Sequence, residues 1–212
     1  DKLAPEGVAR NDLVRAKVYP TGGGDRVGYA YNRLGEVVEV TDQNGTVHAY
    51  TRDVLGRLTQ DEVTTVGSGV DDAVRVIGLE YTVRGEIERV TSYDAGSANV
   101  LNQVEFAYDG FGRLITEKQS HDGAVDGSTP EIRYEYADGT NNTVRRTRVE
   151  YPNGRKIDYR YEGVIDSRLD RVSKLVDATG TEFDVATYLS ARATERDNGL
   201  AGNPTRAGRK RS

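Results

Sequence analysis

One turn motif recurs along the chain and limits what it can fold into. A Gly followed by a charged residue and an aliphatic residue occurs four times, always at the same distance from the first residue of the motif. The four segments are Tyr31–Val37, Arg52–Leu58, Tyr81–Ile87 and Tyr108–Leu114. Their Gly residues, at positions 35, 56, 85 and 112, are 21, 29 and 27 residues apart. A constant turn between units of variable length predicts a stack of β-hairpins.

An Asn-Gly pair separates two runs of β-forming residues, 36–41 and 46–50. Asn44-Gly45 therefore predicts a hairpin with a two-residue type I′ turn, in which both residues have positive φ. His48, which alternates with Val47 and Ala49, is interpreted as a surface cross-strand residue rather than as a catalytic base.

A second Asn-Gly pair, Asn153-Gly154, lies between the β-rich runs 147–151 and 155–161. As a two-residue loop it would place Arg148 opposite Tyr159 and Arg146 opposite Tyr161, which predicts a stripe of Arg on Tyr.

The remaining segments complete an all-β prediction. Residues 175–183 predict a third hairpin with a slightly longer loop that contains Gly, and 65–72, 95–99 and 120–130 are polar, Gly-rich loops. No segment combines a helix cap with a 3.6-residue apolar period.

We expect a lead-in segment at 1–26, a hairpin-repeat array at 27–188 and an irregular, flexible basic tail at 189–212. The chain begins at Asp1 and contains no Met, so we expect it to be a piece of a longer protein.

Composition excludes several kinds of chemistry. The chain has no Cys and only two His residues, which removes disulfides, thiolate nucleophiles and His or Cys metal clusters. Its net charge of −5 argues against nucleic-acid binding, and no run is long and apolar enough for a transmembrane helix. We expect no cofactor, no metal and no membrane insertion.

Other candidate sites have simpler interpretations. Residues 21–25 lack the Lys and the following helix of a phosphate-binding loop, and 122–127 lack the ligand spacing of a calcium loop. His121 is a loop residue. Adjacent carboxylates at 61–62 point to opposite faces of a strand, which does not suit a glycosidase.

The turn motifs resemble the YD repeat of the Rhs family, whose consensus is Tyr-Asp-x-x-Gly-Arg-Leu. Residues 108–114 match it throughout, 52–58 have Arg in place of Tyr, and 81–87 have Thr and Glu in place of Asp and Arg. Residues 159–180 are similar to a variant unit, and the resemblance extends from Gly28 to Tyr188. The motif residues are Tyr31, Gly35, Asp53, Gly56, Arg57, Tyr81, Gly85, Tyr108, Asp109, Gly112 and Arg113.

This resemblance implies an antiparallel β-sheet that spirals into part of a hollow shell. Shells of this kind enclose a C-terminal toxin in bacterial Rhs proteins and in the C components of insecticidal toxin complexes, and they serve adhesion in the related teneurins. The chain lacks the Asp-Pro-x-Gly motif of the family's self-cleaving boundary, so no autoproteolytic residues are assigned.

Each motif residue has an expected structural task. The Tyr ring covers the neighbouring repeat, the polar residue after it caps the turn, Gly supplies the unusual dihedral, and the aliphatic residue packs between strands.

We therefore predict a non-catalytic scaffold or shell segment of a secreted or surface Rhs-repeat protein. Its expected partners are further repeats of the parent chain, further copies of itself or a C-terminal toxin. One alternative is a carbohydrate- or receptor-binding adhesin module that exposes its Tyr rings to glycans. A third possibility is a fragment of a toxin-associated enzyme, which the lack of a nucleophile, base and acid in one group disfavours.

Overall fold

A computed structural model describes residues 12–20, 25–97, 99–138 and 144–185. These residues form fourteen β-strands and two single-turn helices. The strands are β1 (Ala16–Val18), β2 (Arg26–Tyr31), β3 (Val37–Thr41), β4 (Val47–Arg52), β5 (Leu58–Thr65), β6 (Val76–Tyr81), β7 (Ile87–Tyr93), β8 (Val100–Tyr108), β9 (Leu114–Ser120), β10 (Glu131–Tyr136), β11 (Arg146–Glu150), β12 (Lys156–Arg160), β13 (Lys174–Asp177) and β14 (Glu182–Asp184). The predicted basic tail lies outside the described residues.

The chain divides into two compact units, residues 1–131 and 132–212. In the first unit each strand from β1 to β9 pairs antiparallel with the next one in the sequence. In the second unit the same order holds from β10 to β14. This arrangement confirms the predicted all-β fold of antiparallel hairpins. Strand β1 lies within the segment predicted as a lead-in, where it pairs with β2.

Few side chains are fully enclosed. Among the described residues, the buried apolar side chains are Val76 in the first unit and Val149 in the second. Buried polar groups are bonded instead: Gln103 Nε2 donates to Thr91 Oγ1 at 2.8 Å, and Gln103 Oε1 accepts the backbone N–H of Val125 at 2.9 Å. Most of the sheet is half-buried.

The type I′ prediction for Asn44-Gly45 is wrong. Gly45 has φ +83°, but Asn44 is not among the residues with positive φ. The turn spans five residues: the N–H of Asp42 donates to the carbonyl of Thr46 at 2.9 Å, and the N–H of Gly45 donates back to the carbonyl of Asp42 at 3.2 Å. This is a turn followed by a bulge, in which only the Gly needs the left-handed region.

The predicted register of the second Asn-Gly hairpin is wrong for the same reason. The five-residue turn shifts the ladder by one residue, so Arg148 lies opposite Asp158 rather than Tyr159. Arg148 Nε donates to Asp158 Oδ1 at 2.7 Å. Arg146 lies over the Tyr159 ring at 5.7 Å, whereas Tyr161 donates its hydroxyl to the Arg146 carbonyl at 3.1 Å. Arg and Tyr do meet here, but the Arg146 side chain lies on Tyr159 rather than on Tyr161, and Arg145 lies over the Tyr161 ring at 5.1 Å.

The third predicted hairpin is present, with Leu175 opposite Phe183. Its loop contains Gly180 and is longer than a two-residue loop, as predicted, since the N–H of Asp177 donates to the carbonyl of Thr181 at 3.1 Å; the two Asn-Gly hairpins have the same five-residue form.

Two helical turns were not predicted. A 3₁₀ turn covers Ala95–Ser97, and α1 covers Val164–Arg168. No side chain caps α1, which begins after Gly163 and contains no buried residue. A five-residue helix without a cap or an apolar stripe leaves no pattern in the sequence.

Candidate functional site

Seven turns of the described chain share one geometry. In each, the N–H of the first residue donates to the carbonyl of the fifth, and the N–H of the fourth residue, always Gly, donates back to the carbonyl of the first. The seven turns are 32–36, 42–46, 53–57, 82–86, 109–113, 151–155 and 177–181. Every Gly at the fourth position has φ between +78° and +96°, a conformation that residues other than Gly rarely adopt. The four repeats and the three other hairpins therefore use a single kind of turn.

The first residue of the turn holds the loop through its side chain. Asp53 Oδ1 accepts the N–H groups of Leu55 and Arg57 at 2.9 and 3.0 Å. Asp109 binds the third and fifth residues of its own turn at 2.8 and 3.0 Å. These bonds satisfy backbone donors that face solvent at the turn, which is the usual task of Asp and Asn in such positions.

The turn 151–155 begins with Tyr151, which has no side-chain acceptor of this kind. There Asn153 Oδ1 accepts the N–H of Arg155 at 3.0 Å. The backbone geometry is thus kept when a different residue of the turn supplies the acceptor.

The first and fifth residues of the repeat turns also bind each other. Arg57 Nε donates to Asp53 Oδ2 at 2.7 Å, and a second guanidinium nitrogen lies 2.7 Å from the same oxygen. Arg113 Nε donates to Asp109 Oδ2 at 2.6 Å. Burial raises the pKa of each of these carboxyls, but the hydrogen bonds and charge of the Arg outweigh it, so the pKa of Asp53 and of Asp109 falls below the ordinary value.

Where the fifth residue is Glu, the first is a neutral donor. Asn32 Nδ2 donates to Glu36 Oε2 at 2.6 Å, and Thr82 Oγ1 donates to Glu86 Oε2. The hydroxyl of Thr82 lowers the pKa of Glu86. Departures from the Asp…Arg pattern therefore come in matched pairs, which keep a donor facing an acceptor.

Each repeat also donates to the repeat before it. Tyr81 donates its hydroxyl to the Leu58 carbonyl at 2.7 Å, and Tyr108 donates to the Ile87 carbonyl at 2.8 Å. Both acceptors occupy the aliphatic position two residues after the Gly of the preceding turn. Burial, and then the charge of Glu86, raise the pKa of the Tyr108 phenol, so its proton remains available for this bond.

The same contact continues where the motif departs from Tyr. Arg52 Nη2 donates to the Val37 carbonyl at 3.4 Å, and Val37 is the equivalent aliphatic residue of its repeat. Tyr31 donates to the Val14 carbonyl at 2.7 Å. Arg52 thus replaces Tyr in the sequence and binds the equivalent carbonyl.

The four repeat turns lie at one edge of the first unit, because alternate connections of an antiparallel ladder share an edge. They are in contact there. The Arg57 guanidinium lies 4.5 Å from the centre of the Tyr81 ring, and Arg84 Nη1 donates to the Gly110 carbonyl at 2.7 Å. We call this row of turns, 32–36, 53–57, 82–86 and 109–113, the turn column.

All eleven motif residues lie in the turn column or at the strand end that precedes it. The sequence did not identify Thr82, Glu86 and Glu36 as pairing residues, and although it showed Arg52 in place of Tyr, it did not predict the carbonyl that Arg52 binds. The alternation of Asp with Arg and of a neutral donor with Glu was a signal for the first three. No sequence signal marks the carbonyls that the Tyr hydroxyls bind.

Outside the turn column the nearest resemblance to an active site is one His–Asp pair. His48 Nδ1 lies 2.7 Å from Asp61 Oδ1, on neighbouring strands. The residues that the structure describes contain no group of three His, Cys, Asp or Glu placed to hold a metal ion. Neither of their helices is long and apolar enough to cross a membrane.

Comparison with known families agrees with the turns. Residues 12–68, which contain the turns 32–36, 42–46 and 53–57, match the RHS Repeat family. This segment of the chain is similar to an RHS repeat. The turns 82–86 and 109–113 continue the same geometry beyond the matched residues.

Solved structures with similarity to the chain include three toxin complexes. They are the TcdB2-TccC3-Cdc42 complex (12% identity, TM-score 0.38, 73% of this chain), the Photorhabdus luminescens Tc holotoxin pore (12%, 0.38, 75%) and TcdB2-TccC3 without its hypervariable C-terminal region (13%, 0.39, 75%). The chain spans 9% of the length of each. No curated protein matches its sequence.

Proposed function

We propose that this chain is a non-catalytic scaffold segment of a larger RHS-repeat protein, in which successive repeats form a wall. The observation that carries the proposal is the contact from each repeat to the one before it, made by Tyr81, Tyr108 and Arg52. A residue that holds adjacent repeats together is suited to a continuous wall, since each repeat then contacts mainly its neighbours.

The Tyr rings support this role over glycan binding. Tyr31, Tyr81 and Tyr108 are half-buried, and each hydroxyl is engaged with a backbone carbonyl. Arg57 covers the Tyr81 ring. Sugar-binding aromatic residues present an open face to the ligand, and here the ring and its hydroxyl are used within the protein.

In the parent protein the wall would enclose a C-terminal toxin, as the resemblance to Rhs shells implies, and would be secreted or exposed at the cell surface. Its partners are further repeats of the same chain or further copies of it. Among the described residues, β1 and β14 each pair on one side only, and all their residues are exposed. Strand edges of this kind are open to pairing with another strand.

Tyr-to-Phe variants test the scaffold role. Tyr81→Phe and Tyr108→Phe keep the ring and remove one hydrogen bond to the preceding repeat, so each should lower the free energy of unfolding by about 1 kcal/mol. Tyr29→Phe is the matched control, because Tyr29 lies on the same sheet and its hydroxyl forms no hydrogen bond with the described residues.

Urea unfolding followed by far-UV circular dichroism measures the loss, and a glycan array measures the alternative function. If the chain is a scaffold, Tyr81→Phe and Tyr108→Phe should unfold at lower urea concentrations than the unchanged chain, and the array should show no specific sugar. The adhesin function would instead be favoured by two results together. Tyr81→Phe and Tyr108→Phe would be as stable as Tyr29→Phe, and they would lose binding to a sugar that the unchanged chain recognises.

A further inference from the structure

The tips of the turn column carry apolar side chains that are largely exposed; the Arg113 guanidinium lies 5.2 Å from the centre of the Phe111 ring, which is still 78% exposed. The second and third residues of each repeat turn point outward, and in all four turns at least one of them is apolar. These are Leu34, Val54, Leu55, Val83 and Phe111, each at least 73% exposed. We call this row of side chains the apolar ridge. Isolated exposed apolar residues are ordinary, whereas five in a row on one edge mark an interaction surface.

The turn itself does not require apolar tips. The turns 42–46, 151–155 and 177–181 have the same backbone geometry, yet their tips are Gln43-Asn44, Pro152-Asn153 and Ala178-Thr179. Tips with Leu, Val or Phe are confined, among these seven turns, to the turns that form the column. The geometry of the turn therefore does not explain why these tips are apolar.

The charges of the ridge are balanced turn by turn. Each of the four turns contains one acidic and one basic residue and has a formal charge of zero: Arg33 with Glu36, Asp53 with Arg57, Arg84 with Glu86, and Asp109 with Arg113. The whole chain has a charge of −5. The turns of the same geometry elsewhere are not balanced, since 42–46 and 177–181 each carry one Asp and 151–155 carries one Arg.

A surface that is apolar and neutral at each repeat suits an identical surface better than a charged partner. Because each turn has no net charge, the ridges of two copies would not repel each other electrostatically. The Asp–Arg pairs would remain bonded within their own turns. Alternate connections of a sheet recur about every 10 Å, so two ridges can interdigitate over roughly 30 Å.

The area of the ridge also fits a pair of copies. Five side chains that are each at least 73% exposed present on the order of 700 Å² per copy, so two copies that cover each other fully would bury up to about 1,400 Å², which lies within the range of specific protein interfaces. We propose that the apolar ridge is a homotypic interface, through which a second copy of this chain packs its own row of turn tips.

This interface rests on the scaffold function proposed above, but the two can fail separately. Tyr81→Phe and Tyr108→Phe test the contacts between repeats, whereas the ridge side chains contact neither hydroxyl. Pairing through the edges of β1 or β14 is a different mode of association, and ridge substitutions leave it intact.

Opposite charges on two variants provide the test. Val54→Lys/Val83→Lys places cations on the ridge, and Val54→Glu/Val83→Glu places anions at the same positions. Sedimentation velocity over a concentration series should show that the unchanged chain dimerises and that either variant alone dimerises at least tenfold more weakly. An equimolar mixture of the two variants should form a heterodimer, because the introduced charges then attract.

Val70→Lys/Val74→Lys is the matched control, since both residues are exposed in the loop at the opposite edge of the first unit. It should dimerise like the unchanged chain. Far-UV circular dichroism checks that all variants are folded.

Three results would overturn the proposal. The unchanged chain could stay monomeric throughout the series; it could associate equally with and without the ridge charges; or the mixture could associate no better than its components. Sedimentation with neutral phosphatidylcholine vesicles by a chain that does not self-associate would assign the ridge to a lipid surface instead.

Discussion

The loop between β5 and β6 gives the sharpest test of how this sheet is held at the edge opposite the turn column. Gly67 is buried against the turn 42–46, and its N–H donates to Thr46 Oγ1 at 3.2 Å. A Cβ atom at position 67 would lie 2.6 Å from the Asn44 carbonyl oxygen and 2.7 Å from Thr46 Oγ1. The first of these is backbone and cannot rotate away.

Gly67→Ala should therefore force the loop off the turn. Overpacking of a fitted contact costs about 1 to 3 kcal/mol, and loss of the bond to the buried Thr46 adds about 1 kcal/mol. We expect the two effects together to destabilise the packing of the loop on the turn by about 3 kcal/mol. Gly69→Ala is the control in the same loop. Gly69 has φ +76°, but an added Cβ would meet nothing within 4 Å. The substitution should therefore lower stability by about 1 kcal/mol, from the left-handed backbone conformation alone.

Native-state hydrogen exchange at the Thr46 amide measures the opening of this turn without requiring the whole array to unfold at once. Exchange there should become roughly 100-fold faster in Gly67→Ala and about fivefold faster in Gly69→Ala, since 1.4 kcal/mol corresponds to a factor of ten. Amides of β9 serve as a reference. Equal acceleration by the two variants would refute the close approach of Gly67 as the cause.

Three further results are expected from the turns. Because the native pKa of Asp109 is lowered, its contribution to stability is fully present above the ordinary carboxyl value of 3.8 and is lost as pH falls through the lower native value; acid titration of urea midpoints should show a flatter decline below about pH 4 in Asp109→Asn. Thr82→Asp should destabilise the turn by placing a carboxylate against Glu86, and adding Glu86→Arg should restore the urea midpoint in a double-mutant cycle. Gly45→Ala should cost about 1 kcal/mol in urea unfolding, because φ is +83° and the space around it is open.

The hairpins and the four repeat turns were predicted correctly from the sequence. The reason is that the fixed position of Gly within each motif depends only on the local geometry of the turn. The sequence did not predict the turn type at Asn44-Gly45. Asn-Gly alone favours two positive φ angles, but Asp42 Oδ1 accepts the N–H groups of Asn44 and Thr46, both at 2.8 Å, and this stabilises the bulged form. A rule based on two residues omits an acceptor two positions before them.

The sequence predicted that each Tyr contacts the neighbouring repeat, but the carbonyls that accept its hydroxyl could not be predicted, for a different reason. Tyr81 and Leu58 are 23 residues apart, and Tyr108 and Ile87 are 21 apart, so no fixed spacing marks them. Gly67 is a similar case. It belongs to a segment with the composition of a loose polar loop, and only the register of β4 with β5 brings that loop onto the turn 42–46.

The connections at the two edges of the first unit differ in how uniform they are in length, hydrogen bonding and charge. At the turn column every connection has five residues, the same bonds and a neutral charge. At the other edge the corresponding connections differ in length and structure: a five-residue turn at 42–46, a ten-residue loop at 66–75 and a 3₁₀ turn within 94–99. Together with differences in strand length, these account for the unequal Gly spacing. An edge that only has to close needs neither a constant length nor a balanced charge. The constant length, balanced charge and exposed apolar tips of the turn column fit the homotypic interface proposed above, whereas the connections at the other edge differ in length and charge.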